Sequence, residues 1–347
     1  MLNIAYIGDG KSTNRYHIPF SSQVEEITIK TIQARSGHND MWDEVPGATY
    51  VKDVNDIWND SEIDLVVICT PPQSHYKLAK EALMNGKHTL VEKPFAETSE
   101  EARELFAVAE DKNLFLQCFQ NRRFDSDFLT VQKVIESGVL GEILEVEMHF
   151  DYFRPEVPEN AKEFERFESF LYTHACHTVD QVLSYFGDPL DIHYDVRQLL
   201  GEGRMNDYFD LDLNYANNLK VAVKSSYFRL KGRPSFVVYG KKGTFVKETK
   251  DRQEEHLKLF YMPTNADFGL DLPEHYGTLY YMDDAGQYHE EKIVSEVGDY
   301  GLIYEGVYES IVNGKEKIVK DDETIHQLEI LEEGIQEMKT YQNGFIK

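Results

Sequence analysis

A chain of 347 residues is longer than one hydrophobic core ordinarily serves, and a domain size of about 150 residues predicts two domains. Its 36 lysines and arginines stand against 62 aspartates and glutamates, and the resulting net charge of −26 excludes nucleic-acid binding by counterion release. No apolar run reaches the roughly 18 residues of a membrane span and no secretory pattern opens at Met1-Leu2-Asn3-Ile4, so a cytoplasmic protein without a membrane partner is expected.

In the first third, short apolar runs alternate with helical patterns: Ile4 to Ile7, Ile27 to Ile32, Leu65 to Cys69, Thr89 to Val91 and Leu114 to Phe119. That alternation predicts a parallel sheet wrapped by helices, a Rossmann-type α/β domain over residues 1–120. Gly8-x-Gly10 follows the first run directly, where a tight turn brings backbone amides against a pyrophosphate; Lys11 and Ser12 come next, and Thr13 stands where the fingerprint has its third glycine. A phosphate-binding P-loop would need a glycine where Ala5 lies inside the first strand. The second run ends in Gln33-Ala34-Arg35-Ser36, with no carboxylate for a ribose 2′-hydroxyl. Arg35 and Ser36 suit a 2′-phosphate instead, so NADP(H) is expected in preference to NAD(H).

The third run leads into Thr70-Pro71-Pro72 and His75, then a helix through Leu78, Ala79, Ala82 and Leu83 that stops at Asn85-Gly86. The fourth ends in Glu92-Lys93-Pro94, which places an ammonium at the lip of the nucleotide cleft. Thr98 and Glu101 form a capping box ahead of Leu105, Phe106, Val108 and Ala109, and the fifth run closes on Gln120 and Asn121.

From residue 121 the pattern changes, and 121–347 is expected to form a substrate-binding and oligomerisation domain of α+β type. A helix from Phe128 to Glu136 stops at Ser137-Gly138; Ile143 to Phe150, Tyr208 to Tyr215, Lys220 to Tyr227 and Ser235 to Tyr239 then read as a mainly antiparallel sheet. A packed C-terminal helix is expected over Leu328 to Met338, free to return to the first domain. Helical spacing through Thr173-His174-Ala175-Cys176-His177 puts Ala175, Val179, Val182 and Phe186 on one face and His174, His177, Gln181 and Ser184 on the other. Imidazoles and small polar groups in place of Lys and Glu suit a water-limited cleft. A metal site of His174, His177 and Asp180 has no further ligand cluster to complete it, and Cys69, Cys118 and Cys176 lack metal-type spacing, so reduced structural thiols and no metal are expected. Tyr152, Phe153 and Arg154 either line a pocket or end a core strand.

Gly-x-Gly after the first strand, Thr70-Pro71-Pro72-x-x-His75, Glu92-Lys93-Pro94 and Gln120-Asn121-Arg122-Arg123-Phe124 together resemble the Gfo/Idh/MocA oxidoreductases, the glucose-fructose oxidoreductase and inositol dehydrogenase family, over nearly the whole chain. The resemblance implies a nicotinamide dinucleotide at the carboxyl edge of the sheet, with Glu92 near the nicotinamide ribose and Lys93 reaching the reacting carbon. It also implies a large open sheet covered by a neighbouring subunit, hence a homodimer or homotetramer; an uncovered face of that size is expected to be too apolar for water. The family's helix carries Asp-x-Gly-x-His-x-x-Asp, whose first Asp and His handle a proton. His177 and Asp180 match, whereas Thr173 and Ala175 replace the first Asp and the Gly, and Phe164 to Phe170 replaces a glycine-rich stretch upstream.

The implied activity is hydride transfer between nicotinamide C4 and a secondary alcohol or ketone of a sugar, polyol or related small molecule. Lys93, with a lowered pKa, would polarise the oxygen and His177 would act as acid/base, with Tyr152, Arg154, Thr173, His174 and Asp180 at the substrate. The alternative is an NADP-binding regulator of the same fold without turnover, a reading that Thr173 keeps open. A peptide-binding scaffold would leave the coenzyme motifs unexplained.

Overall fold

The computed structural model describes residues 1–156, 165–201 and 205–340, and the chain forms two compact units. One gathers Met1–Asn121 with two later segments, Glu254–Phe268 and Asp299–Leu328; the other holds Arg122–Gln253, Gly269–Gly298 and the chain from Glu329 onward. The helices of ten residues or more are α1 (His75–Met84), α2 (Ser99–Asp111), α3 (Ser126–Glu136), α4 (Cys176–Phe186), α5 (Leu302–Asn313) and α6 (Asp321–Gln336).

In the first unit, β1 (Leu2–Ile7), β2 (Ile27–Gln33), β3 (Thr49–Val51), β4 (Leu65–Ile68), β5 (His88–Val91) and β6 (Leu116–Cys118) make an all-parallel sheet in the order β3-β2-β1-β4-β5-β6. The central strands read as unbroken apolar runs because both of their faces are covered; every residue of β4 is buried. The edge strand β3 is too short to show a period, and sequence reading misses it. Thr98 caps α2 by accepting from Glu101 N at 3.1 Å, while the Glu101 carboxylate accepts from Glu97 N at 2.9 Å, one residue outside the reciprocal bond of a capping box. The later segments serve this sheet. Tyr304 of α5 is fully buried and its hydroxyl lies 3.0 Å from that of Tyr6 in β1, and Lys317 donates to Leu116 O of β6 at 3.1 Å.

In the second unit, β7 (Ile143–His149), β8 (Asp191–Gln198), β9 (Tyr208–Asn214), β10 (Lys220–Ser226), β11 (Phe236–Gly240), β12 (Gly243–Lys247), β13 (Gly277–Met282), β14 (Tyr288–Ile293) and β15 (Lys339–Thr340) form one sheet in the order β14-β13-β12-β11-β7-β10-β9-β8-β15. All pairs are antiparallel except β7 with β10 and β8 with β15. One face is core: Val146, Met148, Phe209, Leu211, Leu213, Val221 and Val223 are buried, and Phe236 stacks on Phe128 of α3 at 6.1 Å.

The other face corrects an expectation. Rather than bare apolar surface, it carries Glu145, Glu147, Asp210, Asp212, Lys220 and Lys224, with Lys220 2.7 Å from Glu145 and Lys224 3.3 Å from Asp210 across neighbouring strands. Cross-strand pairs of opposite charge stabilise a solvated sheet face, so burial by a partner is no thermodynamic necessity there. Val237, Tyr239, Thr244 and Val246 extend the same face beyond the charged ladder. Among the described residues no helix is long and apolar enough to cross a membrane.

Candidate functional site

The carboxyl ends of β1, β2 and β4 open into a cleft of about 760 Å³ within the first unit, lined by Gly8, Asp9, Gly10, Arg35, Ser36, Thr70 and Pro71 among others. Gly8 has φ +109°, and a Cβ there would stand 2.7 Å from Cys69 O, so the turn admits only glycine. Gly10 is open: nothing lies within 4 Å of where its Cβ would be, which leaves bare backbone at the cleft wall. Thr13, in the place of the third glycine, has no exposed surface and donates to Gly8 O at 2.7 Å, closing the loop from inside. The chain then passes through a π-helical turn, Thr13–His17, into a short helix, Ile18–Ser21. Lys11 is exposed beside this turn.

Gly37 N donates to Ala34 O at 2.8 Å, which makes Arg35 and Ser36 the two central residues of a tight turn. Both are exposed, and neither side chain has a hydrogen-bond or ion-pair partner among the described residues. Asp9, between the two glycines, holds the following loop. Its carboxylate accepts from His38 Nδ1 at 2.8 Å, Asn39 N at 3.2 Å and Asn14 Nδ2 at 3.1 Å. Burial opposes the charge on His38, yet the Asp9 bond, the bond to Trp42 O at 2.9 Å and the charges of Asp9 and Glu44 together outweigh it and raise the imidazole above its ordinary value. Sequence reading misses Asp9 and His38, because a carboxylate and an imidazole 29 residues apart create no period.

β5 delivers Glu92 into a buried hydrogen-bond chain. Its carboxylate accepts from Ser12 Oγ, from His17 Nε2 at 3.0 Å and from Lys93 N at 2.9 Å. Burial alone would raise this carboxyl; the His17 bond and charge, Lys93 and Ser12 together hold it down at about 2. His17 Nδ1 meets the Tyr304 hydroxyl at 2.7 Å, and Tyr6 links Tyr304 to Ser21 at 3.0 and 2.7 Å. His17, Tyr304, Tyr6 and Ser21 have no exposed surface, so a returning helix and the first strand fix the loop that bears Lys93. Glu92, expected at the nicotinamide ribose, is thus engaged chiefly by Ser12 and His17 from the turn after β1, while Lys93 is half-buried.

His75 is likewise a pin. It is 1% exposed and lies between Thr70 O at 2.9 Å and Pro94 O at 2.8 Å, joining the Thr70-Pro71-Pro72 loop to the Lys93 loop. Burial lowers its pKa, and a neutral imidazole donates to only one of the two carbonyls at a time. Pro72 opens a single 3₁₀ turn, Pro72–Ser74, and Gln120 and Asn121 are buried just beyond β6.

In the second unit, α4 is preceded by another π-helical turn, Leu171–Ala175. The turn corrects the helical wheel, since α-helical phase cannot be carried from His174 across it. Within α4 the face expected to be polar is polar and buried: His177, Asp180 and Gln181 expose 8%, 2% and 4%. Asp180, expected at the substrate, is taken up by Arg123 in a bidentate pair at 2.7 and 2.8 Å, and Gln181 donates to Arg122 O at 2.6 Å. These contacts fix the helix. Thr173 donates to Ser169 O at 2.9 Å and lies 2.7 Å from His174 Nδ1, from which it accepts. His174 in turn sits among Phe170, Tyr152, Phe150 and Tyr227, with ring centroids 4.5 to 6.3 Å away. The Arg154 guanidinium lies 4.2 Å from the Tyr152 ring centroid. Phe164, the first residue of the stretch expected to be glycine-rich, lies outside the described residues; Phe167 and Phe170 are core. The three cysteines are buried and form no disulfide, and no group of three or more metal-ligating side chains occurs among the described residues.

Comparison with known proteins places these features in a family. Residues 2–119 match the model of the oxidoreductase family's NAD-binding Rossmann fold, and residues 132–343 match that of its C-terminal alpha/beta domain. The chain is 42% identical over 341 residues to the uncharacterized oxidoreductase YhhX of Escherichia coli, covering 97% of both. It is 31% identical over 339 residues to the scyllo-inositol 2-dehydrogenase (NADP(+)) IolW of Bacillus subtilis, covering 97% of this chain and 94% of that one. An oxidoreductase crystal structure from Bacillus cereus superposes with a TM-score of 0.91 at 41% identity, covering 97% of this chain and 96% of that one.

Proposed function

We propose that this chain, which belongs to the Gfo/Idh/MocA oxidoreductase family, is a dehydrogenase or reductase that moves a hydride between nicotinamide C4 and a secondary alcohol or ketone of a sugar, polyol or related small molecule. The observation that carries the reading is the cleft at the carboxyl ends of β1, β2 and β4, with bare backbone at Gly10 and free side chains at Arg35 and Ser36. Backbone amides there suit a pyrophosphate, and the guanidinium and hydroxyl suit a ribose 2′-phosphate, so NADP(H) is the preferred coenzyme. The similarity to an NADP(+)-dependent dehydrogenase supports the same choice.

When bound, the coenzyme supplies or accepts the hydride. The Lys93 ammonium would polarise the reacting oxygen, and His177 would serve as acid/base, taking the alcohol proton as hydride leaves or returning a proton as hydride arrives, because neither a protonated carbonyl nor a free alkoxide is stable near neutrality. Ser12, His17, Tyr304 and His75 keep the Lys93 loop in place rather than touching substrate. The test has two stages: fluorescence titration of NADPH and NADH, then a panel of polyols and sugars followed by NADPH absorbance. NADPH binding more tightly by about tenfold or more, with turnover of at least one panel member, is the expected result. Equal affinities would remove the NADP assignment. Tight NADPH binding without any turnover would favour the regulator reading, which rests on Thr173 standing where the family carries an acid.

We also propose a homodimer or homotetramer through the outer face of the second sheet. The alternating Lys and Asp/Glu ladder is self-complementary about a twofold axis, and Val237, Tyr239 and Val246 supply apolar area beside it. Light scattering at micromolar concentration decides; a persistent monomer overturns it.

A further inference from the structure

We infer that Arg15, Trp42 and Phe260 form a clamp that holds the cleft-lining loop after β2 in its coenzyme-binding shape, and that Phe260 keeps a strained backbone because its ring closes that clamp. The inference deepens the coenzyme reading of the first unit's cleft and rests on it.

β2 ends at Gln33 and β3 begins at Thr49, and none of the residues between them lies in a helix or strand. Yet Arg35, Ser36, Gly37 and Asn39 of this stretch line the cleft. A long connection without secondary structure loses much conformational freedom when it is ordered, so a few point contacts decide its shape. Asp9 supplies a polar anchor at His38 and Asn39, and the Tyr50 hydroxyl accepts from Val45 N at 3.0 Å. Trp42, between these anchors, is held by a ring and a cation. Its ring centroid lies 5.6 Å from that of Phe260, and Arg15 Cζ stands 5.8 Å from the Trp42 ring and 5.2 Å from the Phe260 ring.

The two jaws have no other evident employment. Arg15 Nε is buried without a hydrogen-bond partner, and the side chain makes no ion pair among the described residues. A guanidinium whose donors are unused is placed by its contact with the rings. Phe260 follows the short helix Gln253–Lys258, which ends in a Schellman motif: Tyr261 N donates to His256 O at 3.0 Å and Phe260 N to Leu257 O at 3.2 Å. Phe260 occupies the left-handed position of that motif at φ +58°, where glycine is the usual residue and a bulky side chain is an outlier. Burial does not offset the strain, because Phe260 is 51% exposed. What its ring gains is Trp42 and Arg15. Leu257, fully buried, and Phe268, whose ring lies 6.0 Å from that of Phe20, fasten this segment within the first unit and give the clamp a fixed side. Arg15 belongs to the π-helical turn that follows Gly10, so the clamp joins the glycine turn to the Arg35-Ser36 loop.

The experiment uses the full-length protein, first without coenzyme in amide hydrogen exchange and then in fluorescence titrations with NADPH and NADH. Phe260→Gly should speed exchange across residues 38–45 by about fivefold or more and leave β1 and β4 unchanged. It should weaken NADPH and NADH alike by about fivefold to tenfold, because the loop is then ordered only on binding. Its urea midpoint should hold or rise, since glycine takes the left-handed position without steric cost. Phe260→Tyr should keep wild-type exchange and affinity. Arg15→Met should act in the same direction as Phe260→Gly by about twofold to threefold, and the double variant should lose less than the product of the two. Unchanged loop exchange or unchanged affinities in Phe260→Gly overturn the inference, as does a fall in its urea midpoint, which would make the ring part of the fold rather than of the loop. A loss confined to NADPH in Arg15→Met would make Arg15 a phosphate contact and overturn it too. Failure of the wild type to bind either coenzyme strikes the coenzyme reading instead, while the exchange rates still decide whether the clamp holds the loop.

Discussion

Each unit opens its candidate site with a π-helical turn, Thr13–His17 in the first and Leu171–Ala175 in the second. In the first, the turn sends side chains inward: Thr13 and His17 are fully buried, and the backbone ahead of them at Gly10 lies bare. The second turn leaves Thr173 and His174 half-exposed beside an aromatic floor. One site therefore presents backbone and the other side chains. Backbone recognition tolerates sequence change as long as the glycines remain, whereas side-chain recognition alters with each substitution, which agrees with matched coenzyme motifs beside an unusual Thr173.

The comparison breaks first at Lys93. Lys93→Met is expected to lower kcat by about a thousandfold, within the range of a lost acid-base group, and to leave coenzyme affinity within about tenfold. Steady-state rates with parallel NADPH titration check it, and a normal kcat would leave the first unit with binding alone.

Asp180→Ala should cost about 3–5 kcal/mol in urea unfolding, because it strands the Arg123 guanidinium in a buried position. A loss below about 1 kcal/mol would mean that this pair does not hold α4.

Glu92 gives a pH test. A carboxyl held at about 2 against an ordinary 4.5 contributes stability that is present above pH 4.5 and lost as pH falls toward 2. Wild type should exceed Glu92→Gln by an amount on the order of 3 kcal/mol near neutrality, and the gap should close on acidification. Urea midpoints of both proteins from pH 7 to 3 measure it; a gap independent of pH would contradict an ionised Glu92 network.

Two smaller effects sharpen the picture of the cleft. Arg35→Asp should weaken NADPH by about ten- to a hundredfold and NADH by no more than about threefold, since only a 2′-phosphate distinguishes them. His38→Ala should weaken both coenzymes alike, by about twofold to threefold, because it loosens the loop behind Asp9 without removing a ligand contact. A selective loss of NADPH in His38→Ala would make the imidazole a direct contact.

The lining of the first unit's cleft was legible because its determinants are local. Gly8, Gly10, Arg35, Ser36, Thr70 and Pro71 each follow a strand within a few residues, and in a parallel sheet every such position falls at the same edge. The roles of Glu92 and Asp180 were not legible. Glu92 depends on His17, and His17 on Tyr304, 287 residues away; Asp180 depends on Arg123, 57 residues away. The π turn before α4 also hid the phase of His174, which no 3.6-residue period carries. By itself the sequence determined the alternation of strands and helices, the glycine turn, the second strand's end without a carboxylate and the family resemblance, all of which act through backbone sterics and side-chain period over short stretches. Only the tertiary structure decided which polar groups pin loops and which face a ligand. That choice is set by whichever partner distant packing brings within hydrogen-bond reach, and a buried carboxylate or imidazole must take that partner or lose its charge.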